Sequence, residues 1–260
     1  MRTLKLTVTY DGTDYVGWQR QDNGRSIQAV LEDTLGEIEG RPVTIVGAGR
    51  TDAGVHALGQ VASVELTHDI EPPTLKRALN AKLPSDIRLL DVVTVERTFH
   101  ARYGARSKTY RYCLTTGAVA MPFARQYAWH VSHALDLDAM RAAGQVLCGR
   151  HDFSAFQAAG TEIDSPVRTI FTLKVEDWDG WWPWDTAPST SQTLAVVEVV
   201  GDGFLRHMVR AIVGTLVEVG GGRRPIPDVT ATLQSKRRDQ AGPTAPAHGL
   251  FLVRVAYTNP

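Results

Sequence analysis

Cysteine is scarce. The 260 residues carry two, Cys113 and Cys148, far apart and in no CxxC spacing. That excludes a disulfide framework and the thiol pairs of a structural zinc site, and it points to a reducing compartment with free, mostly buried thiols. Net charge is missing too. Basic and acidic residues number 28 each, so bulk charge offers no attraction to a polyanion, and any nucleic-acid surface has to come from local clustering. No apolar run reaches the roughly 20 residues of a membrane-spanning helix. Met1 to Lys5 enter an alternating pattern at once, without the apolar core of a signal peptide. The expectation is a cytoplasmic protein with no membrane contact and no metal site.

What is present is a globular composition, 43% hydrophobic and 22% charged, enough for a sizeable core in one large domain or two small ones. Leu4, Leu6, Val8 and Tyr10 alternate with Lys5, Thr7 and Thr9, which indicates a strand with one buried face. Asp11-Gly12 marks a turn. Ser26 then precedes a helical stripe of Ile27, Val30, Leu31, Thr34, Leu35 and Ile38. Strands over 43–46 and 60–66, a helix from about Thr74 and a strand over 87–95 complete a first part. The second part reads as a strand over 108–114, a helix over 136–147, strands over 170–175 and 194–200, a long helix carrying Leu205, Met208, Val209, Ile212 and Leu216, a short helix over 228–233 and a last strand through Phe251, Val253 and Val255.

Both parts contain a strand, then Asp-Gly (Asp11-Gly12, Asp202-Gly203), then an aromatic, basic residues and a helix. The expected fold is therefore α+β, with two β-α-β-β-α-β (ferredoxin/RNP-like) halves, mainly antiparallel sheets and an active-site cleft between them. The halves are residues 1–105 and 106–260. Residues 178–191 look like an insertion holding Trp178, Trp181, Trp182 and Trp184. A loop so aromatic could stack on bases or fold onto its own surface.

The chemistry concentrates in one turn, Gly47-Ala48-Gly49-Arg50-Thr51-Asp52-Ala53-Gly54-Val55-His56. A dinucleotide fingerprint fails, because its third glycine would fall on Asp52, whose carboxylate would repel a pyrophosphate. A P-loop also fails, because Val55 and His56 stand where Lys and Ser/Thr are needed. What remains is a carboxylate in a tight bend, where an arginine can hold it ionised and glycines let the backbone pass close to a ligand. Such an aspartate is a usable nucleophile or merely a capping turn residue.

The heptapeptide Arg50 to His56 resembles the central motif of the tRNA pseudouridine synthase A family. So do Tyr10-Asp11-Gly12 with Gly17-Trp18-Gln19-Arg20-Gln21, Ser26-Ile27-Gln28, Asn80-Ala81-Lys82-Leu83-Pro84 and Phe99-His100-Ala101-Arg102. Lys108-Thr109-Tyr110-Arg111-Tyr112, Phe204 to Arg210 and Gly249-Leu250-Phe251-Leu252 are similar to its later motifs, in the family's order. The tryptophan-rich stretch is the main departure.

The resemblance implies a cofactor-free isomerase that turns uridine into pseudouridine at positions 38, 39 and 40 of the tRNA anticodon stem-loop, working as a homodimer. It makes Asp52 the catalytic carboxylate and leaves open attack at C1′, addition at C6 or deprotonation of the sugar. It places Tyr110 against the target base, Arg210 in an ion pair with Asp52, and Leu250 against the uracil. Arg50 and His56 are candidate substrate contacts. Arg20, Arg102, Arg106, Lys108, Arg111 and His207 are candidate RNA contacts. The rival readings are a non-catalytic RNA-binding protein on the same scaffold and a glycosylase that would release free uracil.

Overall fold

The computed structural model describes residues 1–160, 165–178 and 194–258. The chain divides into two compact units, Met1–Lys108 with Phe251–Pro260, and Thr109–Leu250. The sequence reading gave residues 251–260 to the second half; their contacts belong to the first. The fold is mixed α+β with mainly antiparallel pairing, as expected.

In the first unit, β1 (Arg2–Tyr10) is the central strand. It pairs antiparallel with β3 (His56–Leu66) on one side and β4 (Ile87–Val95) on the other. Its inward residues Leu4, Leu6 and Val8 are fully buried. The short β2 (Ile45–Gly47) lies antiparallel beside β3. Helix α1 (Ile27–Glu39) begins where Ser26 Oγ accepts the Ala29 N–H and ends at Gly40, whose φ of 71° is left-handed. Its stripe Ile27, Leu31 and Leu35 is buried, each side chain contributing about 1.5–3 kcal/mol. Helix α2 (Pro72–Lys82) buries Leu75 and Leu79. The order β-α-β-β-α-β is the one read from the sequence. β10 (Leu250–Ala256) then adds a parallel partner to the start of β3, with Phe251 opposite His56.

In the second unit the sheet order is β5 (Ser107–Thr116), β9 (Leu194–Gly201), β8 (Val167–Asp177), β7 (Gly149–Asp152), and β6 (Trp129–Val131) pairs with β5. Helix α3 (Leu137–Gln145) is capped by Asp136. Helix α4 (Met208–Gly220) is apolar nearly all round and buried accordingly. Helix α5 (Pro227–Ser235) follows. Two expectations change here. The long helix begins at Met208 rather than Leu205, because His207 stands at φ 62° and breaks helical geometry before it. The Asp-Gly echo is not a repeat of position either. Asp202-Gly203 follows β9, the last strand before α4, whereas Asp11-Gly12 follows β1, the first strand of the chain. Strands β6 and β7 were not read from the sequence; at three and four residues they are too short to show alternation. Trp181, Trp182 and Trp184 lie outside the described residues.

Candidate active site

The Asp52 turn joins β2 to β3, and a second loop is wrapped around it. Trp18 N–H donates to Thr51 O at 3.1 Å, and Gly54 N–H donates to Tyr15 O at 3.3 Å. The turn also closes on itself through Val55 N–H to Asp52 O, 3.1 Å. The Tyr10 hydroxyl and Thr51 Oγ1 share a buried hydrogen bond of 2.8 Å. Burial pushes the Tyr10 phenol well above its ordinary range, against the pull of Thr51 and Gln60, so it stays protonated. Gln60 Nε2 donates to Gly49 O at 2.9 Å. Asp52 itself is half-buried.

Glycine is required where these segments touch. A Cβ on Gly12 would lie 2.1 Å from Val55 O, and one on Gly17, at φ +110°, would lie 2.6 Å from Thr51 O. A Cβ on Gly47 would lie 2.4 Å from Trp18 Nε1. The wrapping loop is tied to α1 in turn, through Gln28 N–H to Trp18 O at 2.9 Å and Arg20 N–H to Gln28 Oε1 at 3.0 Å. The N-terminal motif thus makes the outer wall of the turn that carries Asp52.

His56 is 1% exposed and stacks on Phe251 at 4.7 Å. Its Nδ1 stands 3.1 Å from the Gly12 N–H and 3.1 Å from the Asp11 carboxylate. These contacts hold the imidazole against the Asp11-Gly12 turn and the first residues of β10. Arg50 is exposed, and its Nε donates to Gln19 Oε1 at 3.0 Å. The Lys108 side chain runs past Gly49, whose added Cβ would come within 3.5 Å of Nζ.

The second unit assembles its own group. Arg210, on α4, donates from Nε to Ala245 O at 2.7 Å, and Ala245 N–H returns to Arg210 O at 3.1 Å. Tyr112 donates its hydroxyl to Pro246 O at 2.8 Å. Gly249 leaves room for that ring, since its Cβ would fall 2.6 Å from Tyr112 Cζ. The guanidinium of Arg210 is felt by both neighbours. Burial pushes the Tyr112 phenol up and the Arg210 charge pulls it back. Burial pushes the His248 imidazole down, a backbone hydrogen bond with Ala128 opposes it, and Arg210 adds to the fall. Tyr110 is buried and meets Phe204 edge-on at 5.1 Å.

The description "tRNA pseudouridine synthase" belongs to the family model that matches residues 6–104 and 143–258, which include Asp52, Arg210 and the glycines at positions 12, 17 and 47. This chain belongs to that family. It is 45% identical to the tRNA pseudouridine synthase A of Syntrophotalea carbinolica, over 99% of this chain and 97% of that protein. The Myxococcus xanthus protein of the same description is 46% identical over 99% and 92%. That of Acetivibrio thermocellus is 41% identical over 99% and 100%.

Of the synthase's candidate RNA contacts, Arg102 and Arg106 are exposed. Arg20 is held by Glu32 at 2.7 Å and Asp33 at 2.5 Å on α1, which offsets its charge. Arg111 pairs with Glu198 at 2.7 Å and lies 4.7 Å over the Trp178 ring. His207 takes the left-handed position before α4. Leu250 is 5% exposed at the start of β10. The sequence reading missed the supporting roles of Tyr10, Thr51, Trp18 and Gln60, and of Tyr112 and His248 around Arg210. Tyr10 and Tyr112 look there like ordinary inward residues of strands, and their partners lie far away along the chain.

Proposed function

We propose that this synthase isomerises uridine in the tRNA anticodon stem-loop, at positions 38, 39 and 40, with Asp52 as its catalytic carboxylate. The observation that carries the reading is the Asp52 turn itself. A half-buried carboxylate sits on a bend fixed from two sides, by a hydrogen-bonded glycine loop and by the Tyr10–Thr51 pair. Such preorganisation lets a carboxylate meet a reacting centre without first ordering its own backbone.

In the reaction the N1–C1′ bond breaks, uracil turns, and a C5–C1′ bond forms. The proton leaves C5 and one is taken up at N1, so nothing is oxidised or reduced. Asp52 acts at the sugar–base linkage. Arg210 holds the carboxylate ionised, and its own orientation is fixed by Ala245. Tyr110 lies against the base and serves the proton transfer at C5, and Leu250 packs on the uracil. The target uridine must be extruded from its stem, at about a few kcal/mol. The enzyme works in the cytoplasm as a homodimer, and sedimentation of the purified protein checks the dimer.

The test is incubation with unmodified tRNA transcripts carrying tritium at uridine C5. Release of tritium into water with no free uracil, and pseudouridine mapped to positions 38–40, is the expected result. Free uracil would mean a glycosylase. Binding without tritium release would mean a non-catalytic RNA-binding protein.

A further inference from the structure

Tyr103 is 77% exposed, more than any other large apolar or aromatic side chain among the described residues. One exposed ring on a flexible loop would need no explanation. This one is held on a fixed turn of the first unit. Both Arg102 N–H and Tyr103 N–H donate to His100 Nδ1 at 3.2 Å, and Gly104 N–H closes the turn on His100 O at 2.9 Å. Ala101 is fully buried, its N–H donating to Ser63 Oγ on β3 at 3.3 Å and its carbonyl accepting the Tyr257 hydroxyl at 2.9 Å. Arg106 N–H donates to Ala256 O at 2.8 Å. The turn is therefore anchored to the sheet before and after Tyr103.

His100 sets its ring 4.4 Å from that of Tyr103, with 31° between the planes, and the Arg102 guanidinium carbon lies 5.6 Å from the Tyr103 centroid. Arg97 and Arg106 are also exposed. Although the whole chain is neutral, residues 97–135 contain six Lys or Arg and no Asp or Glu. Four of those cations (Arg97, Arg102, Arg106 and Lys108) fall in the first unit. A rigid exposed ring amid guanidiniums is how unpaired nucleotides are gripped, since the ring stacks on a base whatever its identity and the cations take the phosphates.

We propose that the His100–Tyr103 turn is a docking site for an unpaired nucleotide of the RNA, additional to the uridine that reacts. Its base stacks on Tyr103, and the adjoining phosphates lie on Arg102 and Arg106. This rests on tRNA being the substrate.

The test is equilibrium binding of a tRNA transcript in an Asp52→Asn background, so that nothing is consumed. Tyr103→Ala should weaken binding at least about fivefold and Tyr103→Phe no more than about twofold, because the ring and not the hydroxyl does the stacking. Tyr103→Ala should leave the slope of affinity against salt unchanged, whereas Arg102→Ala and Arg106→Ala should each reduce it by about one. With Asp52 restored, Tyr103→Ala should react at the parent single-turnover rate once tRNA is saturating. Parent-like affinity in Tyr103→Ala overturns the proposal, as does equal loss in Tyr103→Phe. So does a change of sedimentation in Tyr103→Ala, which would assign the ring to a protein interface. If the parent protein binds tRNA through Tyr103 yet forms no pseudouridine, the assigned activity falls and the docking site stands.

Discussion

The hydroxyl of Tyr10, at the end of β1, meets Thr51 Oγ1 at 2.8 Å in the core, one residue before Asp52. A central strand of the first sheet is thereby coupled to the carboxylate through one buried hydrogen bond. Tyr10→Phe removes the bond and leaves the Thr51 hydroxyl to find another partner, at about 1–3 kcal/mol if it finds none. The expected outcome is a fall in kcat with KM for tRNA nearly unchanged, together with a lower urea midpoint. Tritium-release kinetics and urea denaturation measure the two.

Asp52→Asn should abolish tritium release while tRNA binding persists, because the amide keeps the shape and loses the charge. Asp52→Glu moves the carboxylate by about an ångström and should cost about a hundredfold in kcat. An Asp52→Asn protein that still makes pseudouridine at the parent rate removes Asp52 from the chemistry.

Gly17→Ala would force a Cβ against Thr51 O from a backbone at φ +110°. The strain should destabilise the protein by about 1–3 kcal/mol and lower kcat, since the bend must shift. Gly40, at φ 71° with open space around it, serves as the comparison. Gly40→Ala should cost stability but leave kcat alone.

Arg210→Lys tests whether a planar guanidinium is needed. Lysine keeps the positive charge but cannot hold both the Ala245 carbonyl and a carboxylate in one fork. Activity should fall at least about tenfold in Arg210→Lys and further in Arg210→Ala, with parent-like kinetics in Arg210→Lys counting against the pairing with Asp52.

Glu39, at the end of α1, predicts an acid limit. Burial pushes its carboxyl up, but hydrogen bonds from the Thr67 hydroxyl, the Thr67 N–H and the His68 N–H outweigh it, and Arg41 adds to the fall, leaving it at about 2 against an ordinary 4.5. A lowered folded-state value means stability that is fully present above about 4.5 and is lost as pH falls toward 2. Glu39→Gln should flatten that part of the urea-midpoint profile between pH 5 and pH 2. An unchanged profile would show that other carboxylates govern acid unfolding.

The sequence by itself determined the elements whose signal is local: the alternation of β1, the capped stripe of α1, the β-α-β-β-α-β order of the first unit, and a glycine-rich bend presenting an aspartate. Those follow from periodicity and from residues that act on their own backbone. Only the tertiary structure decided which distant groups meet. Phe251 and Leu252 return to pair with β3, Arg20 is offset by two carboxylates of α1, His56 turns inward, and Tyr10 reaches Thr51. A side chain's type and spacing fix what bonds it can make. Which partner it finds depends on chain segments that composition and period do not bring together.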